Sequence, residues 1–215
     1  MKSIKGLSGF GDAIYLRVAV EWMLINMPDQ YLVTTNYPDV FRDLDVKTIP
    51  FNRGMKAEYN FTYLLRKYES GSTQFSDMCV NAGIGIIPFE SKLAERRPSG
   101  LTVVNNLYSP LDGCDPVSDC LRPRKEDYES LVSNYKNVVY LKEGKYKFIA
   151  LVNILNRASL FITQQGWGTA IAEMLNVPTI ICFTKRGYEC SDPFFSSIKP
   201  EKIIEKKTTT HIALP

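Results

Sequence analysis

Residues 160–184, LFITQQGWGTAIAEMLNVPTIICFT, leave little choice in how they fold. Two apolar runs, 160–162 and 179–183, have the length and composition of parallel strands buried on both faces. A glycine-broken turn, 164–168, separates them and leads into a short helix predicted over 169–175. Ala170, Ile171, Met174 and Leu175 share one face of that helix, suited to packing on a sheet. Thr169 and Glu173, four residues apart, share another. Asn176 and Pro178 end the helix and return the chain to the sheet. A strand, glycine turn and helix in this order leave backbone N–H groups unpaired at the helix start, where a phosphate is the usual guest. The same unit also serves as a plain β-α-β crossover.

Strands and helices alternate through the rest of the chain. On the N-terminal side, strands are predicted at 2–7, 31–34, 46–50 and 58–65. Helices are predicted from the Gly6-Leu-Ser-Gly9-Phe-Gly11-Asp12 turn to about Asn26, at 38–43 and at 72–82, with 84–88 returning to the sheet or capping it. The first long helix is apolar except for a stripe carrying Arg17 and Glu21, so it should be largely buried. Residues 90–100, ESKLAERRPSG, are polar and broken by proline and glycine, as in a linker. Beyond them, strands are predicted at 101–105, 138–141 and 202–205 besides the pair above. Helices are predicted at 125–135, 147–156 and near 193–198, and a long irregular loop at 107–123. The pattern implies an α/β chain of two Rossmann-like, doubly wound domains, 1–95 and 96–215, facing a cleft. Both glycine turns lie at the carboxyl ends of strands, where such sheets bind their ligands.

Composition excludes more than it selects. A net charge of +3 does not by itself call for a nucleic-acid or membrane partner. No apolar run reaches the roughly 18 residues of a membrane span, and the first residues enter a strand pattern rather than a secretory signal. Five scattered cysteines, one of them (Cys182) inside an apolar strand, suit reduced thiols, and a cytoplasmic location is expected. The first glycine turn reads G-x-x-G-x-G rather than G-x-G-x-x-G. The strand after it ends in Thr34-Thr35-Asn36, without the acidic residue that holds a ribose, which argues against a nicotinamide or flavin enzyme. A single histidine, His211, leaves no credible Ser-His-Asp or Cys-His arrangement.

Gly9-Phe-Gly11-Asp12, an apolar helix, then Pro28-Asp29 and a strand resemble the opening of the ADP-heptose:lipopolysaccharide heptosyltransferases. The second half resembles them in outline: a helix ending in Asn156-Arg157-Ala158, a strand, a glycine turn, a short helix, then Asn176-Val177-Pro178 and a strand. The resemblance implies the two-domain GT-B fold of an inverting glycosyltransferase, with Asp12 as general base and Gly9 and Gly11 in the acceptor-side loop. The family's Asp-Ser-Gly-x-x-His turn is replaced here by Gln164-Gln165-Gly166-Trp167-Gly168-Thr169. That variant looks more like the G-x-x-T/S-x-x-x-E turn of other GT-B enzymes, in which the glutamate binds the donor ribose; Glu173 would do so here. The chain is also about two thirds as long as typical members.

Inverting sugar transfer needs a base for the acceptor hydroxyl and a sink for charge on the departing diphosphate. Asp12 suits the first role. The N–H groups of Gly168, Thr169 and Ala170, in the turn opened by Gly166, suit the second, with Lys185, Arg186, Arg122 and Arg124 as candidate cations near the diphosphate. Such groups make a metal or other cofactor unnecessary. Asp12 also suits a bare helix-start charge, Thr169 a cap, Glu173 a solvated position and Trp167 either a stacking platform or a plug. Asp43-Leu-Asp45 matches a D-x-D metal motif but reads as a surface turn. Cys114, Cys120 and the aspartates at 112, 115 and 119 match no common zinc spacing. The expected activity is sugar transfer from a nucleotide-diphosphate sugar to an acceptor hydroxyl on a glycan, a lipid-linked sugar, a small molecule or a modified nucleic acid. A non-catalytic nucleotide or nucleotide-sugar binding protein and a viral-type DNA-modifying glycosyltransferase are the alternatives.

Overall fold

Short strands that are apolar on alternate or successive positions, joined by helices, have little option but parallel pairing with crossovers. The computed structural model describes residues 1–62, 73–105, 125–141, 145–164, 166–184 and 209–214. The chain divides into two compact units, Met1–Lys92 and Leu93–Pro215.

In the first unit, β1 (Lys2–Lys5), β2 (Tyr31–Thr34), β3 (Lys47–Ile49) and β4 (Tyr59–Asn60) form one sheet in the order β3-β2-β1-β4. All neighbours run parallel, with Ile4 opposite Val33 on one side and Tyr59 on the other. Helix α1 (Phe10–Asn26) follows β1 and buries residues all round its circumference, Arg17 and Glu21 included. A 3-10 turn, Pro38–Phe41, covers one flank with Val40 and Phe41. Helix α2 (Gln74–Asn81) starts at a reciprocal cap, in which Thr73 Oγ1 accepts from the Ser76 amide and Ser76 Oγ accepts from the Thr73 amide. Its Phe75 packs with Phe89 and Tyr15, ring centroids 4.7 and 6.2 Å away.

Residues 84–88 form no strand. Gly85 takes φ +77, outside the range of a β ladder, and Ile86 is 80% exposed while Ile87 is buried. The segment runs on as a strap to Ser91 and Lys92, which donate to Glu21 of α1 at 3.0 and 3.1 Å.

In the second unit, β5 (Leu101–Asn105), β6 (Val138–Leu141), β7 (Ala158–Gln164), β8 (Thr179–Thr184) and β9 (Thr209–Leu214) make a wholly parallel sheet, ordered β6-β5-β7-β8-β9. Helix α3 (Lys125–Val132) lays Tyr128 and Val132 on a face made by Val104, Ile162, Ile180 and Cys182. By alternation, Val103, Phe161 and Ile181 look the other way. Helices α4 (Phe148–Arg157) and α5 (Trp167–Leu175) pack against one another, with α4 on β5 and β7 and α5 on β7. In α4 the buried positions 148, 151, 152 and 155 follow the helical period. The predicted helix near 193–198 and strand at 202–205 lie outside the described residues, as do the loop 107–123 and the end of the predicted strand 58–65; the last strand described is β9. Among the described residues no helix is long and apolar enough to cross a membrane.

Candidate functional site

Strand order locates the sites before any side chain is considered. In the first sheet β2 and β3 are added on one side of β1, and the chain then crosses to place β4 on the other. In the second, β6 lies on one side of β5, and β7, β8 and β9 on the other. Where the strand order changes side, between β1 and β4 and between β5 and β7, sheets of this kind open a crevice beyond the strands' carboxyl ends. The two glycine turns follow β1 and β7, so each stands at such a reversal.

At the first reversal, Gly9 is the N-cap of α1 and Asp12 its third residue. The Asp12 carboxylate folds back to accept from the Gly9 backbone, as the third residue of a helix does in a capping box. A Cβ on Gly9 would stand 2.7 Å from Asp12 Oδ2, so glycine there gives the carboxylate room. Gln74 Nε2, from the first turn of α2, donates to Asp12 Oδ1 at 3.3 Å. Burial pushes the Asp12 carboxyl above the ordinary carboxylate range, against the pull of the Gly9 bond. Gly11 lies half-buried in the same helical turn.

At the second reversal, Gly166 caps α5 with φ +133 and ψ −145, a conformation open essentially to glycine alone. The helix begins at Trp167, two residues earlier than the sequence suggests, and this moves the open donors. The Thr169 and Ala170 amides both bond to Gly166 O, at 3.1 and 3.4 Å, so neither is an outward donor and Ala170 closes the first α turn. Gly168, Thr169 and Ala170 are buried, Gly166 is exposed and Glu173 is half-buried. Thr169 is 3% exposed, and among the described residues its Oγ1 has no hydrogen-bond partner. At the far end Asn176 takes the left-handed conformation, and the amides of Asn176 and Val177 bond to the carbonyls of Glu173 and Ala172, closing the helix as a Schellman motif.

Beneath this turn lies a polar knot that sequence reasoning missed. Asn105 Nδ2 donates to Thr163 Oγ1 at 3.1 Å, both residues being buried at the carboxyl ends of β5 and β7. Tyr128 Oη of α3 bridges the same two strands, 2.8 Å from Asn105 O and 3.0 Å from Ile162 O. The available signal was a polar residue closing each apolar run, Asn105 and Thr163. A Cβ on Gly168 would overlap Thr163 Oγ1 outright and lie 3.2 Å from Asn105 Nδ2. Gly168→Ala should therefore cost about 1–3 kcal/mol or more, because neither neighbour is a free side-chain end. A denaturant midpoint equal to wild type would show that the turn does not rest on the Asn105–Thr163 pair.

Asp43 of the D-x-D motif is held elsewhere. Its two oxygens lie 2.6 Å from Arg17 Nη1 and Nη2, and this contact draws its carboxyl below the ordinary range. Asp45 is exposed. Among the described residues no three His, Cys, Asp or Glu side chains gather as a metal site. Cys79 and Cys182 are buried thiols pushed up to about 12, inert as nucleophiles. Lys185, Arg186, Arg122, Arg124, Cys114 and Cys120 lie outside the described residues.

No known family model matches the chain, and no curated protein matches it. Among solved structures it is similar to the iron-containing dodecameric glycosyltransferase TibC from enterotoxigenic E. coli H10407, at 14% identity and a TM-score of 0.50. The likeness covers 84% of this chain, which spans 57% of that one. A second TibC structure, a dodecameric iron-containing heptosyltransferase in complex with ADP-D-beta-D-heptose, has a TM-score of 0.49 at 11% identity over 89% of this chain and 60% of that one. The likeness shows a glycosyltransferase-like α/β fold. It does not extend to membership of the heptosyltransferases.

Proposed function

We propose that the chain is a glycosyltransferase that moves a sugar from a nucleotide-diphosphate donor to an acceptor hydroxyl, with inversion and without a divalent metal. The observation that carries this reading is the coincidence of chemistry with topology. Each parallel sheet reverses its strand order once, and a glycine turn stands at each reversal. One bears a half-buried carboxyl of raised pKa, the other a glycine-opened helix start with Glu173 on its second turn. The glycosyltransferase-like fold supports the same reading.

In this mechanism Asp12 takes the proton of the acceptor hydroxyl as its oxygen attacks the anomeric carbon. The bond from sugar to phosphate breaks with its electron pair on the nucleoside diphosphate. That charge grows beside the Gly168 amide and the positive end of α5, where exposed Gly166 lets phosphate approach the backbone. Lys185, Arg186, Arg122 and Arg124 are the cations proposed to assist, and Glu173 accepts hydrogen bonds from the ribose. Fixed positive charge at the leaving group takes the place of a metal ion, so turnover should survive EDTA. Loss of activity in EDTA that Mg²⁺ or Mn²⁺ restores would overturn the metal-free mechanism.

The direct test is calorimetry against a set of nucleotide-diphosphate sugars. Glu173→Ala should weaken the donor that binds by about 1.5–3 kcal/mol, the range for hydrogen bonds to a charged group. Unchanged affinity with the fold intact removes Glu173 from the site. A donor that binds but is never transferred or hydrolysed makes the chain a nucleotide-sugar binding protein instead.

A further inference from the structure

We propose that Gln74 is a positioning residue for Asp12, one that aims the carboxylate at the acceptor rather than setting its basicity; this rests on the transferase reading above. Among the described residues Asp12 is otherwise held only from within its own helix turn, through the Gly9 backbone, so no other element fixes the direction of its second oxygen. Gln74 supplies a second hold from an element 62 residues further along, Nε2 to Oδ1 at 3.3 Å. That distance lies just beyond the usual N–H···O range, so the contact adds little stabilisation to the charge.

Gln74 is itself well anchored. It is the first residue of α2, enclosed by the Thr73–Ser76 reciprocal cap, and the next residue, Phe75, is locked between Tyr15 and Phe89. Tyr15 belongs to the same helix as Asp12, so one aromatic cluster holds donor and acceptor of the hydrogen bond together. The contact also joins elements that come after neighbouring strands, since α1 follows β1 and α2 comes after β4 in the chain. A neutral amide fits this role because it donates to the ionised carboxylate without pairing its charge away. A lysine or arginine there would hold Asp12 more firmly and weaken it as a base.

The experiment pairs Gln74→Ala and Gln74→Glu with two readouts, turnover and carbon-13 NMR titration of the Asp12 carboxyl. Gln74→Ala should lower kcat by roughly 10- to 100-fold, the cost of a misplaced catalytic group, with donor affinity unchanged. Gln74→Glu sets a like charge beside Asp12, which should move its titration and the acid limb of the kcat profile upward together. Glutamate at a helix start also favours folding, so misfolding is not a ready explanation for its effects. An Asp12 titration that Gln74→Glu leaves unmoved overturns the contact. A moved titration with kcat intact in Gln74→Ala overturns the positioning role. Wild-type protein that transfers no sugar overturns the transferase reading and the role together, whereas the titration still decides the contact.

Discussion

Arg17→Leu should destabilise the protein by roughly 3–5 kcal/mol, the cost of removing one partner from a buried ion pair. Arg17 is 1% exposed and Glu21, one helical turn on, 4%; their Nη2 to Oε1 distance is 2.7 Å. Leucine would replace the volume but leave the Glu21 carboxylate buried with Ser91 Oγ and the Lys92 amide as its donors among the described residues. Val40 O would lose its guanidinium donor as well. The Asp43 arm counts for less, because that side chain is 37% exposed and water can replace the arginine. Asp43→Asn should accordingly cost about 1 kcal/mol or less. The pH dependence follows from Asp43. Its folded pKa lies below the unfolded value of 3.8, so its contribution is present above 3.8 and fades as pH falls through the folded value. Arg17→Leu should flatten that acid-side loss. Arg17→Leu with Glu21→Leu should recover much of the single-mutant loss, since the double change leaves no buried charge. Denaturant midpoints decide the matter, and a single-mutant loss under about 1 kcal/mol would mean that the triad is not what pins α1 to its flanking segments.

This triad also shows where the sequence stopped being legible. An Arg and a Glu four apart read only as the one polar stripe of an apolar helix, whereas the 3-10 turn and the 84–92 strap cover that stripe and use it as their anchor. Neither cover has a periodic pattern of its own, so local reasoning had no means of placing it. The same limit applied at 84–88, where an apolar run was read as returning to the sheet or capping it, and Gly85 at φ +77 breaks the extended path. The strand–turn–helix at 158–175 and the strand at Leu101–Asn105 were legible because burial on both faces imposes continuous apolar runs that few other structures share. Asp12 was named through the family resemblance of the Gly9-Phe-Gly11-Asp12 turn, and it lies in the first turn of the helix after β1. Gln74 could not be named, because nothing in residues 73–81 alone says which carboxylate lies across the sheet. The second turn was read two residues late, and with it the identity of the open amides, since helix ends are set by cap geometry that a sequence indicates only loosely.

Asp12→Asn should lower kcat by about 10²–10⁴ while leaving donor affinity unchanged, and it should also stabilise the protein near neutral pH. The first effect is the usual cost of losing a general base. Asparagine keeps the shape and still accepts from the Gly9 backbone, so neither the turn nor the donor side is disturbed. The second effect comes from the direction of the pKa shift. Burial holds the folded Asp12 pKa above its unfolded 3.8, so the folded state binds this proton more tightly than the unfolded chain does. Its favourable contribution is complete below 3.8 and is lost as pH rises through the folded value. An amide has no such loss, and the melting temperature of the mutant should gain on wild type as pH is raised from about 4 to about 7.5. A mere helix-start charge would behave in the opposite way, since removing an anion from the first turn costs about 0.3–1 kcal/mol at neutral pH. Gly9→Ala supplies the complementary case: its Cβ would meet Asp12 Oδ2 at 2.7 Å and displace the carboxylate without removing it. That variant should lose turnover with the Asp12 titration still present. If Asp12→Asn turns over at the wild-type rate and melts lower near neutral pH, Asp12 is a capping residue, and the base must be sought elsewhere along the β1–β4 crevice.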